Sequence, residues 1–363
     1  MAGQEVTLDI LKARQEEALN ILKKGTFIPA HPLALTADRK LDEEKQRMLT
    51  RYYLASGAGG LAVAVHTTQF EIRDPKIGLF EPVLKIAVEE IEAFEKKTGK
   101  VIVRIAGVCG PLGQAVEEAK TALKLGYDAV LLSPGGLNNL SEEELLKRSE
   151  EVAKIIPVIG FYLQKSVGGR KLTFDYWQRF CEINNVVAIK AAPFNRYETL
   201  DVARAVAFSS RKDQIALYTG NDDNIVMDLL TKYKFSKDGK DYEISFAGGL
   251  LGHWSVWTHT AVKLFRRLKE AAKSEIIPAE LLTLAMEVTD ANAAFFDTAN
   301  EFKGCIAGLH EVLRRQGILK GIWCLNEKET LSPGQAEEIQ RVYEMYPHLN
   351  DDEFIEANKE KWM

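Results

Sequence analysis

Val186-Val-Ala-Ile-Lys190-Ala-Ala-Pro193 is an apolar run interrupted by one lysine. A short stretch rich in Val and Ile, apolar on both parities, reads as a parallel strand buried on both faces. Working outward, the same kind of run recurs at 158–163 and 129–132. Further runs stand at 101–107, 61–65 and 27–35 on one side, and at 214–218 and 242–247 on the other. Amphipathic segments separate them. Asp42 caps a helix to residue 55, Ser141 with Glu144 forms a capping box, and 83–97, 112–125 and 173–183 read as helices. Eight strand-like runs at near-regular spacing give α/β class and a (β/α)8 TIM barrel, since about 250 residues close into one such unit. A doubly wound sheet is the weaker alternative.

The strand signals stop near residue 254. Segments 255–273, 278–300, 305–316 and 332–346 read as helices, the last with Ser332, Pro333 and Gln335 as a second capping box. The expected division is an N-terminal helix over 1–25, a barrel over 26–254 and a C-terminal helical extension over 255–363. Those last helices must pack on the barrel or on another subunit.

The composition excludes several functions. The 363 residues carry 47 Lys+Arg against 52 Asp+Glu, a formal net charge of −5, which gives no general attraction to nucleic acid. No apolar run reaches the length of a membrane span, and the start has no secretory apolar core, so a cytoplasmic protein is expected. Cys109, Cys181, Cys305 and Cys324 are scattered, without a CxxC pair, and read as reduced bystanders.

In a barrel, chemistry sits at the C-terminal strand ends. Those ends offer His31, the sequence His66-Thr67-Thr68-Gln69, Tyr162, Lys190, Gly220-Asn221-Asp222, Gly248 and His253. Lys190 carries the most information. Apolar surroundings lower an ammonium pKa, and a neutral amine can attack a ketone to form a Schiff base. A solvated rim lysine is the plainer reading of the same spacing. Tyr162 lies on the preceding strand, about 5 Å away in such a sheet, and would move protons. A tyrosine that only caps the barrel core is the alternative. Thr67 and Thr68 offer hydroxyl and backbone N–H groups that suit a carboxylate.

Together, Lys190, Tyr162 and Thr67-Thr68 resemble the dihydrodipicolinate synthase/N-acetylneuraminate lyase family of Schiff-base aldolases. The segments 185–190 and 60–68 look like that family's lysine strand and its Gly-Thr-Thr-Gly-Glu strand and loop. The resemblance implies a lysine that condenses with a 2-oxo acid, commonly pyruvate, and a tyrosine that relays protons. It implies a carboxylate held at the Thr pair. It also implies a homo-oligomer, dimer or tetramer. No cofactor is expected, and a metal at His31, His66 and His253 is the weaker reading, because the nearby carboxylates Glu71, Asp74 and Asp222 have no firm ligand spacing.

The sequence departs from the family in three places. The Gly-Thr-Thr-Gly-Glu motif reads His66-Thr67-Thr68-Gln69-Phe70. The relay tyrosine after strand four is replaced by Ser133-Pro134-Gly135-Gly136. The arginine beyond strand five aligns near Val167, with Lys165 and Arg170 as nearby substitutes. The expectation is a divergent aldolase or dehydratase with Lys190 and Tyr162 catalytic. Substrate would be bound by His66, Thr67, Thr68, Gln69 and Gly248. A phosphate-binding barrel enzyme using the glycines at 220 and 248–252, and a non-catalytic metabolite-binding relative, are the competing readings.

Overall fold

A computed structural model describes residues 2–363. Nine strands are present: β1 (Phe27–Pro29), β2 (Gly60–Val63), β3 (Val103–Val108), β4 (Ala129–Leu132), β5 (Val158–Leu163), β6 (Val186–Ala192), β7 (Ala216–Thr219), β8 (Lys232–Lys237) and β9 (Lys240–Leu251). Eight of them pair in parallel in the order β1-β9-β7-β6-β5-β4-β3-β2. A parallel bridge from Ala30 to Ala62 brings β1 against β2 and closes the ring. The result is a (β/α)8 barrel.

Alternation along each strand divides the core in two. Ile28, Ala62, Ile105, Leu131, Ile159, Phe161, Ala188 and Leu250 pack inside the barrel. Val63, Ala106, Val130, Tyr162, Ile189 and Leu217 face outward, into the helices. Lys190 shares the parity of Ala188 and Ala192 and therefore points inward, two residues before β6 ends.

Two strand boundaries differ from the pattern-based expectation. The first strand ends at Pro29, not 35, because the backbone beyond Ala30 turns away to pair with polar partners. The Ala34 N–H donates to the Gln46 side chain (2.7 Å), and the Asp42 N–H donates to the Ala34 carbonyl (3.0 Å). The run at 242–247 is mostly not barrel wall. Residues 240–245 pair antiparallel with β8, and only Phe246–Leu251 joins the ring. The turn of that hairpin is Asp238-Gly239, with φ of 52° and 72°. An Asp-Gly pair favours such a two-residue turn.

The barrel's two ends are closed by different parts of the chain. The helix Ala2–Lys24 covers the N-terminal end, with Ala18 and Leu22 in the inner core. The Tyr218 hydroxyl donates to the Leu22 carbonyl (2.7 Å) and accepts from the Thr26 N–H (3.0 Å). Arg14 donates to Glu95 and Asp128 and to the Ile102 carbonyl.

The C-terminal region contributes helices Thr258–Ala271, Glu280–Phe295, Cys305–Arg315, Gln335–Met345 and Asp352–Asn358. The fourth begins at Gln335, because Gly334 takes a left-handed φ of 85°. Half of the expected capping box survives, as the Gln335 side chain accepts from the Ser332 N–H (3.1 Å). The turn between the second and third helices lies over the C-terminal mouth of the barrel, where Phe296 and Phe302 reach the same cavity as Lys190.

Candidate active site

Lys190 lies on the floor of a cavity of about 60 Å³ at the C-terminal end of the barrel. Its register partners are Phe161 on β5 and Tyr218 on β7. The ammonium nitrogen stands 4.5 Å from the centre of the Phe161 ring. Among the described residues it forms no ion pair. Gly220 makes room for this conformation, since a Cβ there would stand 2.4 Å from the lysine Cε. Burial lowers the lysine pKa, and the negative charge of Asp222 partly opposes that fall.

Asp222 is the carboxyl group among the cavity's lining residues. It is buried, and its Oδ1 accepts from the His253 N–H (2.8 Å), while its backbone carbonyl accepts from the Asn292 side chain. Burial raises its pKa; the His253 N–H bond and the Lys190 charge pull the other way. An amine that is easily neutral thus stands in one cavity with a carboxyl that is easily protonated. Their proton affinities are thereby drawn together, so a proton can pass from one to the other through a substrate held in the cavity at little energetic expense.

His66 and Thr67 line the opposite wall. They sit on a tight turn after β2, where Ala64 and Gln69 have φ of 61° and 69°. Arg73 pins the turn by donating to the Ala64 and Gly107 carbonyls (2.9 and 2.8 Å) and by pairing with Glu118 (3.0 Å). His66 is pushed down to about 4 by burial and, secondarily, by the Lys190 charge, so it is neutral at pH 7. The Thr67 hydroxyl is buried without a hydrogen-bond partner. An unpartnered buried hydroxyl facing a cavity is a ready contact for a ligand oxygen.

The structure does not bring the other expected residues to the lysine. Tyr162 faces the helices. Its ring lies 5.4 Å from Trp177, and its hydroxyl is engaged with the Leu172 N–H and carbonyl (3.2 and 3.3 Å). The physical reason is parity: the residue opposite Lys190 is Phe161, so its neighbour must point the other way. Thr68 is also turned inward on its own turn, donating to the His31 carbonyl (2.6 Å) and accepting from the Val65 N–H (3.2 Å). Gln69 accepts from the Leu325 N–H (2.6 Å) and borders the neighbouring cleft, not the lysine cavity. Gly248 lies deeper in the barrel beside Tyr218. It is glycine because a Cβ would stand 2.3 Å from the Thr26 carbonyl oxygen.

Of the three histidines at strand ends, only His66 reaches the cavity. His31 is buried between Thr50 (2.9 Å) and Gln46 (3.1 Å), and His253 stacks on Phe295 with ring centres 5.9 Å apart. Arg170 donates to the Leu137 and Leu140 carbonyls and so braces a loop away from the mouth. Among the described residues no cluster of three or more His, Cys, Asp or Glu side chains could hold a metal ion.

Sequence reasoning gave no role to four contributors. Asp222 was visible as a strand-end acid, but nothing in its spacing paired it with Lys190. Phe161 was hidden by attention to its hydroxylated neighbour. Cys305 and Phe302 come from the C-terminal extension, and no strand-end rule reaches them.

The dihydrodipicolinate synthetase family model matches residues 24–234. The chain is 28% identical over 192 residues to a 4-hydroxy-tetrahydrodipicolinate synthase of Syntrophobacter fumaroxidans, covering 50% of this chain and 59% of the relative. It is 33% identical over 87 residues to a probable 5-dehydro-4-deoxyglucarate dehydratase of Acinetobacter baumannii, covering 24% of this chain and 28% of the relative. In each case the match spans less than two thirds of the relative's length. Among solved structures, dihydrodipicolinate synthase from Oceanobacillus iheyensis superposes with a TM-score of 0.72 at 14% identity, covering 92% of this chain and 99% of the other. N-acetylneuraminate lyase from Fusobacterium nucleatum superposes with a TM-score of 0.68 at 17% identity, covering 89% and 99%. These similarities at low identity establish the same barrel, and the matched span reaches from the first strand past β7. The chain is a divergent member of the dihydrodipicolinate synthetase family.

Proposed function

We propose that this protein is a lyase, an aldolase or dehydratase, that forms a Schiff base between Lys190 and a 2-oxo acid such as pyruvate or a sugar-derived keto acid. The observation that carries this reading is the lysine itself. It is buried, its pKa is lowered, and it opens into a cavity that also holds a protonatable carboxyl. Family membership and the relatives' names support the reaction class.

The neutral amine of Lys190 attacks the ketone carbon, and the carbinolamine loses water to give an iminium. Asp222, in its acid form, donates the proton that the departing hydroxyl needs. As a carboxylate it takes a proton back from the carbon next to the iminium, which yields the enamine. The Thr67 hydroxyl donates to the substrate carboxylate. Besides Lys190 and the neutral His66, no basic side chain among the described residues lines the cavity, so the iminium's own positive charge supplies most of the carboxylate's electrostatic partner. In this reading Tyr162 takes no part in proton transfer.

Borohydride reduction in the presence of pyruvate, followed by peptide mass spectrometry, tests the proposal. A reduced adduct on Lys190 is expected. A folded protein that yields none with pyruvate or any of several 2-oxo acids refutes it. We further propose a cytoplasmic homo-oligomer, dimer or tetramer. The four cysteines are all free, and among the described residues no helix is long and apolar enough to cross a membrane. Light scattering of the purified protein decides the oligomeric state.

A further inference from the structure

The walls around Lys190 describe what else the substrate carries. Four phenylalanines, Phe161, Phe194, Phe296 and Phe302, line the cavity, together with Leu163 and Val167. Val167 stands near where the family resemblance places a carboxylate-binding arginine, so a cation position has become apolar. Phe194 and Phe302 meet edge to face with ring centres 5.8 Å apart, and both hold left-handed backbones, φ 52° and 66°. Non-glycine residues rarely keep that conformation unless their surroundings impose it.

Phe302 also lines two larger clefts, of about 490 and 410 Å³, that adjoin the lysine cavity. The first shares Phe194, Phe296 and Phe302 with the cavity and carries Lys165 against Glu198 and Asp223. With Arg196 3.9 Å from Asp223, two carboxylates meet two cations in the first cleft, and Glu71 and Glu329 accompany Lys303 and Lys328 in the second, so neither cleft offers a net positive charge to an anionic tail.

Resting on the lysine reading above, we infer that the second reactant or leaving fragment is an uncharged aromatic aldehyde, held between Phe194 and Phe302 where the cavity meets the larger cleft. The aldol direction balances without any redox partner. Lys190 condenses with pyruvate and releases water. The enamine carbon then attacks the aldehyde carbon, forming the new carbon–carbon bond, and the aldehyde oxygen takes a proton. Water hydrolyses the iminium, releasing a 4-aryl-4-hydroxy-2-oxo acid and restoring the amine. The reverse direction breaks the same bond. The aromatic ring of the aldehyde replaces the contact that Phe194 and Phe302 make with each other, in the offset or edge-on geometry that aromatic pairs favour.

The test compares benzaldehyde with glyceraldehyde and with glyoxylate as partners for pyruvate, in the wild-type chain and in Phe194→Leu. Benzaldehyde is expected to be favoured by about tenfold or more in kcat/KM, with the ratio falling toward unity in the variant. A preference for glyceraldehyde or for the anionic glyoxylate, or a ratio unmoved by the variant, overturns the inference. The Schiff-base reading fails separately, through absence of a pyruvate adduct on Lys190. In that event ligand-observed NMR with benzyl alcohol against glycerol judges the aromatic walls directly. Benzyl alcohol binding that weakens in Phe194→Leu upholds an aromatic site, and no binding overturns it.

Discussion

The two ends of this barrel are closed by different amounts of chain, one helix against five, and they are built to opposite standards. At the N-terminal end the polar groups meet, the Arg104 Nε excepted. Tyr218 uses its hydroxyl as both donor and acceptor, and Arg14 is shared between two carboxylates and a carbonyl. At the C-terminal end polar atoms are left over. The Thr67 hydroxyl and the Gln69 amide nitrogen are buried without partners. Left-handed non-glycine backbone accumulates there as well, at Gln69, Phe194, Asp297, Glu301 and Phe302. Unsatisfied groups and backbone strain reduce stability, so a fold keeps them where a ligand will use them. One end holds the barrel shut, and the other is prepared for a guest.

The largest effect expected from breaking this contrast is at the lysine. Lys190→Ala should abolish the borohydride-trapped adduct and lower turnover by about a thousandfold or more, as loss of a covalent nucleophile does. It should not lower thermal stability, because it removes a buried ammonium that has no ion-pair partner among the described residues. A marked fall in melting temperature would show that Lys190 belongs to the structural end of the comparison.

Next in size is the opposite end. Tyr218→Phe strands the Leu22 carbonyl and the Thr26 N–H, which should lower stability by about 1–3 kcal/mol in urea titration. Adduct formation should persist in the folded variant. Loss of the adduct without loss of stability would mean that the two ends are not separable.

The pH dependence sharpens the chemistry of the mouth. Adduct formation needs the free amine, so its rate rises with pH through the Lys190 pKa, which lies below the usual lysine value of 10.5. The Asp222 charge raises that pKa, so Asp222→Asn should move the midpoint to lower pH while slowing turnover through loss of the acid. A midpoint that stays put or moves upward would remove Asp222 from the lysine's surroundings. The smallest effect is expected from Tyr162→Phe. It removes hydrogen bonds to Leu172, should cost about 1 kcal/mol of stability, and should leave turnover within about twofold. A large loss of turnover would restore the proton-relay role that the geometry denies this tyrosine.

The barrel was legible because eight short runs of Val, Ile and Leu have few other uses in a chain of this size. Lys190 was legible because a charge inside such a run is out of place. Tyr162 was misleading for a reason the sequence carried but did not display. The ladder between β5 and β6 slips at Val158/Ile159, with Val187 as the extra residue, and so the partner of Lys190 is Phe161. Counting residues between a tyrosine and a lysine cannot see a bulge. The hairpin of β8 and β9 had a visible Asp-Gly turn, but the long apolar end of β9 drew the reading toward one barrel strand. Phe302 and Cys305 were invisible for a different reason. Their place at the mouth depends on how the C-terminal helices return over the barrel, and nothing local encodes that return.

The Leu325 N–H donates to Gln69 across 256 residues of chain. That contact fixes an order of events during synthesis. A growing chain that has emerged through β9 can already close its ring of strands, yet it has no Phe302 and no Leu325 to lay over the opening. Until residues 296–325 leave the ribosome, Lys190 has no cover over the mouth of the barrel. The roof is made after the barrel that it covers.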